Sequence, residues 1–190
     1  ELLDKFNTQL PGKHNIENAL AAISVAHVLG LNMDSVAHAV ASFRGVNRRF
    51  DRVYESASVR LVDDYAHHPV EIDAAISAAR DLYPNTKITV LFQPHLFSRT
   101  RDLEDDFVKS LDNADEVVLL PIYPAREKPI EGVSSDVLLE KVNLDNKKLI
   151  HSPSELFTHL DLESDFLLLT IGAGDIDQWV DDLIKYLQSR

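Results

Sequence analysis

The stretch from Phe92 to Asp106 reads FQPHLFSRTRDLEDD. His95, Ser98, Arg99, Thr100 and Arg101 follow closely on an apolar run that stops at Gln93-Pro94. Guanidinium, imidazole and hydroxyl groups all donate hydrogen bonds, so this cluster suits an anion. It stands out because the chain as a whole carries a formal net charge of -12. A second cluster, Asp63-Asp64-Tyr65-Ala66-His67-His68-Pro69, also follows an apolar run and precedes a helical pattern. Its carboxylates and imidazoles could bind a metal, shuttle protons, or hold a ribose and an anion. The plainer reading is an acidic helix cap beside a packed histidine. A dedicated metal cage is not expected, since only His and Asp are available and adjacent histidines rarely point to one spot. Asn47-Arg48-Arg49-Phe50 offers two guanidinium forks of the kind that grip phosphate oxygens, or that simply sit in solvent. Asn15 and Asn18 lie three apart on a helical pattern, hence on one face. Their amides both donate and accept, as reading an adenine edge requires. Spacing alone equally supports an N-cap asparagine with an incidental neighbour.

The elements that must position these residues change rhythm along the chain. Asn15–Gly30 has apolar positions at Ile16, Leu20, Ile23, Val25, Ala26, Val28 and Leu29, which predict a helix with a broad buried face and Gly30 as its stop. Asn32 caps a second predicted helix, Met33–Phe43. Arg44-Gly45-Val46-Asn47 breaks the pattern, so residues 1–45 and 46–190 are expected to form separate domains. Phe50–Asp63 reads as a β-hairpin. Helices are then expected at Pro69–Leu82, Thr100–Leu111, Ser135–Val142, Ser154–Leu160 and Ile176–Gln188. Strands are expected at Lys87–Phe92, Asp115–Leu120, Lys148–Ile150 and Asp165–Ile171. Alternation of helices with near-continuous apolar strands predicts an α/β fold, a mainly parallel sheet flanked by helices. In such sheets ligands sit at the carboxyl ends of strands, where the first two clusters fall.

Composition narrows the function classes. There are 190 residues, 45% hydrophobic and 26% charged, ordinary values for a soluble globular chain. The excess of 31 acidic over 19 basic residues disfavours a nucleic-acid partner. The longest apolar runs are too short to span a membrane. The absence of cysteine excludes disulfides and thiolate chemistry and fits a cytoplasmic location. Gly172-Ala173-Gly174-Asp175 is half of a GxGxxG fingerprint and reads as a close strand–helix turn. A GxxxxGK[ST] phosphate loop is missing from the sequence.

The segments GKHNIENALAA, GVNRRF, DDYAHHPVE, FQPHLFSRTRDLEDDF, YPAREKPIEGV and GAGDI, spread over nearly the whole length, resemble the Mur ligases. The pairing of DDYAHHP with FQPH and SRTRD is closest to the members that add L-alanine. The resemblance implies a three-domain parent with an N-terminal UDP-sugar domain, a central ATPase domain and a C-terminal Rossmann-like domain. Residues 1–45 would then be the helical tail of the ATPase domain, and 46–190 the Rossmann-like domain. It implies an ATP-dependent ligase of peptidoglycan synthesis that joins L-alanine to UDP-N-acetylmuramate through an acyl phosphate. Mg2+ ligands are expected outside this chain, which alone would be inactive. Asn15 and Asn18 match residues that read adenine, Arg49 with Arg48 an arginine that reaches phosphates, and Asp64 an acid near the ribose. His67 and Arg99 match positions that hold L-alanine, with His95 in support. Many relatives carry a second arginine after that histidine. Leu96 stands there in this chain, so either Arg101 compensates or one guanidinium suffices. Two other readings remain from the residues alone: a metal-dependent hydrolase built on His67, His68, His95 and Asp64, and a non-catalytic nucleotide-binding module.

Overall fold

The computed structural model describes residues 5–160 and 165–189. The chain divides into two compact units after Asn47. In the first, α1 (Lys13–Val28) ends as its sequence requires. Gly30 takes φ 70°, its N–H donates to His27, and Leu31 N–H donates to Ala26, which closes a Schellman turn. The Asn32 side chain accepts from Ser35 N–H at 2.9 Å and starts α2 (Met33–Ser42). The broad buried face expected for α1 is not formed. Ile23 and Ala26 are buried, but Ile16, Leu20, Val25 and Val28 stay exposed. The ten-residue α2 has no buried residue and cannot cover that stripe.

The second unit is a helix-covered sheet of β1 (Asp51–Glu55), β2 (Val59–Asp64), β3 (Lys87–Phe92), β4 (Glu116–Leu119), β5 (Lys147–Leu149) and β6 (Phe166–Ile171). Their order is β1-β2-β6-β3-β4-β5, parallel throughout except for the β1–β2 hairpin. The last strand is thus inserted between β2 and β3. Helices α3 (Pro69–Leu82), α5 (Glu104–Leu111) and α6 (Ser135–Lys141) bury Ile72, Ile76, Phe107, Leu111 and Leu138 against Val62, Val90, Phe92 and Leu169. Helices α7 (Pro153–His159) and α8 (Val180–Gln188) bury Leu156, Leu183 and Leu187 against Leu61, Leu91, Val118 and Leu168. Alternate residues of each strand therefore feed opposite layers, which is why these strands read as unbroken apolar runs.

Two expected elements are different. The helix predicted at Ile176–Gln188 is a 3-10 helix, Asp175–Trp179, followed by α8. The single helix predicted at Thr100–Leu111 is two, α4 (Phe97–Asp102) and α5, broken at Leu103. The basic cluster is therefore one short helical turn rather than an open loop. Leu96, at φ 74°, redirects the chain into it.

Candidate amino-acid and nucleotide site

The carboxyl ends of β2, β3 and β6 meet because β6 separates the other two. Asp63 and Asp64 end β2, Gln93 follows β3, and Gly172 follows β6. Gly172 N–H donates to Asp64 O at 3.2 Å and Gln93 N–H to Ile171 O at 2.9 Å, so the three chains leave the sheet side by side.

The two buried carboxylates hold the segment just before β1. Asp64 accepts Phe50 N–H and Ala66 N–H, both at 2.7 Å. Burial pushes its carboxyl above the ordinary range, against the pull of those two bonds and of Arg49. Asp63 accepts the Thr170 hydroxyl at 2.6 Å and Arg48 Nε at 3.0 Å. Arg48 also donates to Gly172 O at 2.6 Å and lies 3.4 Å from Asp177. Its guanidinium thus ties β2 to the end of β6. Arg49 differs: its side chain is 53% exposed, with Glu71 at 3.8 Å. Both guanidiniums lie over the Tyr65 ring, 5.1 and 5.6 Å from its centre. Of the expected phosphate pair, Arg49 presents a free edge while Arg48 is built into the fold. Asp64, expected at a ribose, has both carboxylate oxygens on backbone N–H groups.

His67 and His68 have separate duties. His68 caps α3: its Nδ1 accepts Val70 N–H at 3.4 Å and its own N–H donates to Glu71 at 3.2 Å. Proline at the first helical position and Glu71 two residues on complete this start. His67 faces the site. Its Nδ1 lies 3.0 Å from Tyr65 O and 3.4 Å from Glu71. Both partners are acceptors, so Nδ1 carries a hydrogen and donates. Although partial burial opposes it, bonds from the His67 backbone and the charge of His67 hold Glu71 below the usual carboxylate range.

His95 approaches from β3. Its ring is 6.1 Å from that of His67 and stacks on Tyr123 at 5.7 Å, 18° from parallel. Arg99 NH1 lies 3.5 Å from His95 Nδ1. Burial, then the Arg99 and His67 charges, depress the His95 pKa, so it is neutral beside Arg99. His67, His95 and Arg99 therefore form one group: two imidazoles and a guanidinium around one corner. Arg101 is not part of it. Two residues further along a helix, it points to the opposite side and pairs with Asp102 at 2.7 Å.

Among the described residues no group of three or more His, Cys, Asp or Glu could hold a metal ion. The hydrolase constellation fails on geometry: His68 caps a helix and Asp64 binds backbone. Asn15 and Asn18 belong to the first unit. The Asn15 amide donates to Pro11 O at 2.7 Å, serving its own helix start, while Asn18 is exposed.

The family model for the Mur ligase, glutamate ligase domain matches residues 48–174. The chain belongs to the Mur ligases. The UDP-N-acetylmuramate–L-alanine ligase of Flavobacterium psychrophilum is 51% identical over 181 residues, covering 95% of this chain and 40% of that protein. The Flavobacterium johnsoniae protein of that name is 46% identical over 190 residues, covering 100% of this chain and 42% of its own. The solved UDP-N-acetylmuramate–alanine ligase MurC of Thermotoga maritima superposes with a TM-score of 0.83 at 29% identity, covering 98% of this chain and 40% of that one. The chain thus spans about two fifths of the length of these Mur ligases.

Several residues of the site escaped the sequence reading. Glu71 was signalled by its place in the helix start after His68-Pro69. Gln93, whose side chain donates to Asp175 at 2.7 Å and accepts Ile176 N–H at 3.0 Å, gave no local sign. Tyr123 and Glu127 lie in YPAREKPIEGV and carry no local mark of a role.

Proposed function

We propose that this chain is the carboxyl-terminal portion of an ATP-dependent ligase that joins L-alanine to UDP-N-acetylmuramate in peptidoglycan synthesis, a cytoplasmic reaction. The observation that carries this reading is the corner formed by His67, His95 and Arg99 at the carboxyl ends of β2 and β3. A free amino acid carries one carboxylate and one ammonium. Arg99 suits the first, with His95 kept neutral so that its ring adds no competing charge. His67, its ring oriented by Tyr65 O and Glu71, suits the second, and as a general base it can take a proton from the ammonium to leave a nucleophilic amine. The amine then attacks the muramoyl acyl phosphate, forming the C–N bond and releasing phosphate. The exposed Arg49 is suited to nucleotide oxygens, and Asn18 to an adenine edge. The exposed apolar stripe of α1 fits packing against the rest of an ATPase domain, where the Mg2+ ligands would lie.

The test uses the full-length ligase. Arg99→Ala removes one charged contact to the amino-acid carboxylate, and should raise the L-alanine KM about 10- to 150-fold. The ATP KM should change little, and equal effects on both would defeat the assignment. The 190-residue chain alone should release no phosphate from ATP with L-alanine and UDP-N-acetylmuramate. Sub-micromolar ATP binding by that chain in a calorimeter would favour a nucleotide-binding module instead.

A further inference from the structure

The loop that follows β4 has no part in the reading above, yet it grips the basic turn at several points. Tyr123 N–H donates to Pro94 O at 2.8 Å, and Leu96 N–H donates to Tyr123 O at 3.0 Å. The two segments form a single parallel bridge, His95 with Tyr123, under the stacked rings. Four residues on, Glu127 accepts Ser98 N–H at 2.9 Å and also the Ser98 hydroxyl. The loop is folded tightly to do this: Ala125 has φ 49°, and Glu127 N–H returns to Pro124 O at 2.8 Å.

Helix α4 needs such help. It has six residues, too few to hold itself by its own hydrogen bonds. Its first N–H groups have no intrahelical acceptor, and the residue at its N-cap is Leu96, which has no polar side chain. Leu96 sits in the left-handed region, a conformation that persists only where its surroundings impose it. Arg99 is the third residue of this helix, so its direction depends on whether the helix forms.

We propose that Glu127 is a positioning residue of the amino-acid site: by clamping Ser98 it fixes the Leu96 turn and α4, and so aims Arg99 at the corner beside His95. The inference rests on the function proposed above.

In the full-length ligase, Glu127→Ala should raise the L-alanine KM roughly 5- to 30-fold and leave the ATP KM within about twofold. Glu127→Gln keeps one acceptor oxygen and should fall between wild type and the alanine variant. A role in overall stability alone would lower the melting temperature without separating the two KM values. Arg99→Ala is measured alongside. If it raises the L-alanine KM while Glu127→Ala does not, the positioning role is overturned and the site assignment stands. If Arg99→Ala has no effect on L-alanine, the assignment fails and the inference with it. Should the alanine variant not fold, hydrogen exchange of the Ser98 amide in the Glu127→Gln form of this chain decides. Faster exchange at Ser98 with β3 and β6 amides unchanged supports the clamp, and unchanged exchange at Ser98 overturns it.

Discussion

Both ends of the sheet carry buried carboxylates, Glu116 at the amino end and Asp63 and Asp64 at the carboxyl end, but use them differently. At the amino end, Glu116 is buried and faces Lys87 at 2.8 Å, the Thr89 hydroxyl at 2.8 Å and His159 at 2.7 Å. Burial works against its charge, but these partners win and hold its carboxyl below the usual range. Arg60 is likewise paired with Asp165 there and lies over the Tyr83 ring. At the carboxyl end, burial wins over the partners of Asp64, Arg49 keeps an open edge, and His95 is held neutral. Among the described residues, the non-glycine residues with positive φ, Arg48, Phe50, Leu96 and Ala125, also gather at this end. The amino end draws its charges into ion pairs, although Arg60 Nε is buried there without a hydrogen bond. The carboxyl end gathers the backbone strain and leaves the Arg49 guanidinium half exposed.

The comparison can be broken most directly at Asp64. Asp64→Ala orphans two buried backbone N–H groups and should cost about 3 kcal/mol in urea unfolding. A loss under about 1 kcal/mol would mean the carboxylate is not structural, and would return it to the ligand. Next comes Gly174→Ala. An added Cβ would lie 2.3 Å from Gln93 Oε1 and 2.7 Å from Tyr123 Cβ, so something must move. About 1–3 kcal/mol of stability should go, together with the ring-current shift of His95 from Tyr123 in proton spectra. An unmoved His95 signal would uncouple this turn from the site.

At the amino end, Glu116→Gln should cost about 1–2 kcal/mol at pH 7 without altering L-alanine KM in the ligase. Its sign with pH sharpens the contrast. Glu116 has a folded pKa below its ordinary 4.5, so its stabilisation is present above 4.5 and is lost as pH falls through the folded value. The gap between wild type and Glu116→Gln should therefore close in acid. Asp64 behaves oppositely: raised above 3.8, it favours folding at low pH and loses that benefit as pH rises through its folded value. A gap that widened in acid would reverse the roles given to the two ends. The smallest effect is expected for Arg101→Ala, with unfolding and L-alanine KM both unchanged. A large KM effect would restore Arg101 to the site.

Much of this was legible beforehand where the signal is local. Gly30 and Asn32 fixed one helix end and the next helix start, because left-handed geometry and a side-chain acceptor are properties of single residues. Pro69 and the apolar runs of β3 and β6 were equally plain. The start of α4 was not legible, since a leucine with positive φ carries no local mark. Its cap comes from Glu127, separated from Ser98 by 29 positions. Arg48 and Arg49 looked alike as neighbours, and only the approach of Asp63, Gly172 and Asp177 separated a structural arginine from an open one.

The sequence by itself determined most of the elements, the parallel character of the sheet, the resemblance to a family, and which segments bear chemistry. These follow from short-range periodicity, caps and quoted motifs. The tertiary structure decided that β6 enters between β2 and β3, and so brought His67, His95 and Arg99 to one corner. It also decided which charges are satisfied internally and which remain open. Strand order and ion-pair partners depend on residues far apart in the chain, and no local pattern encodes them.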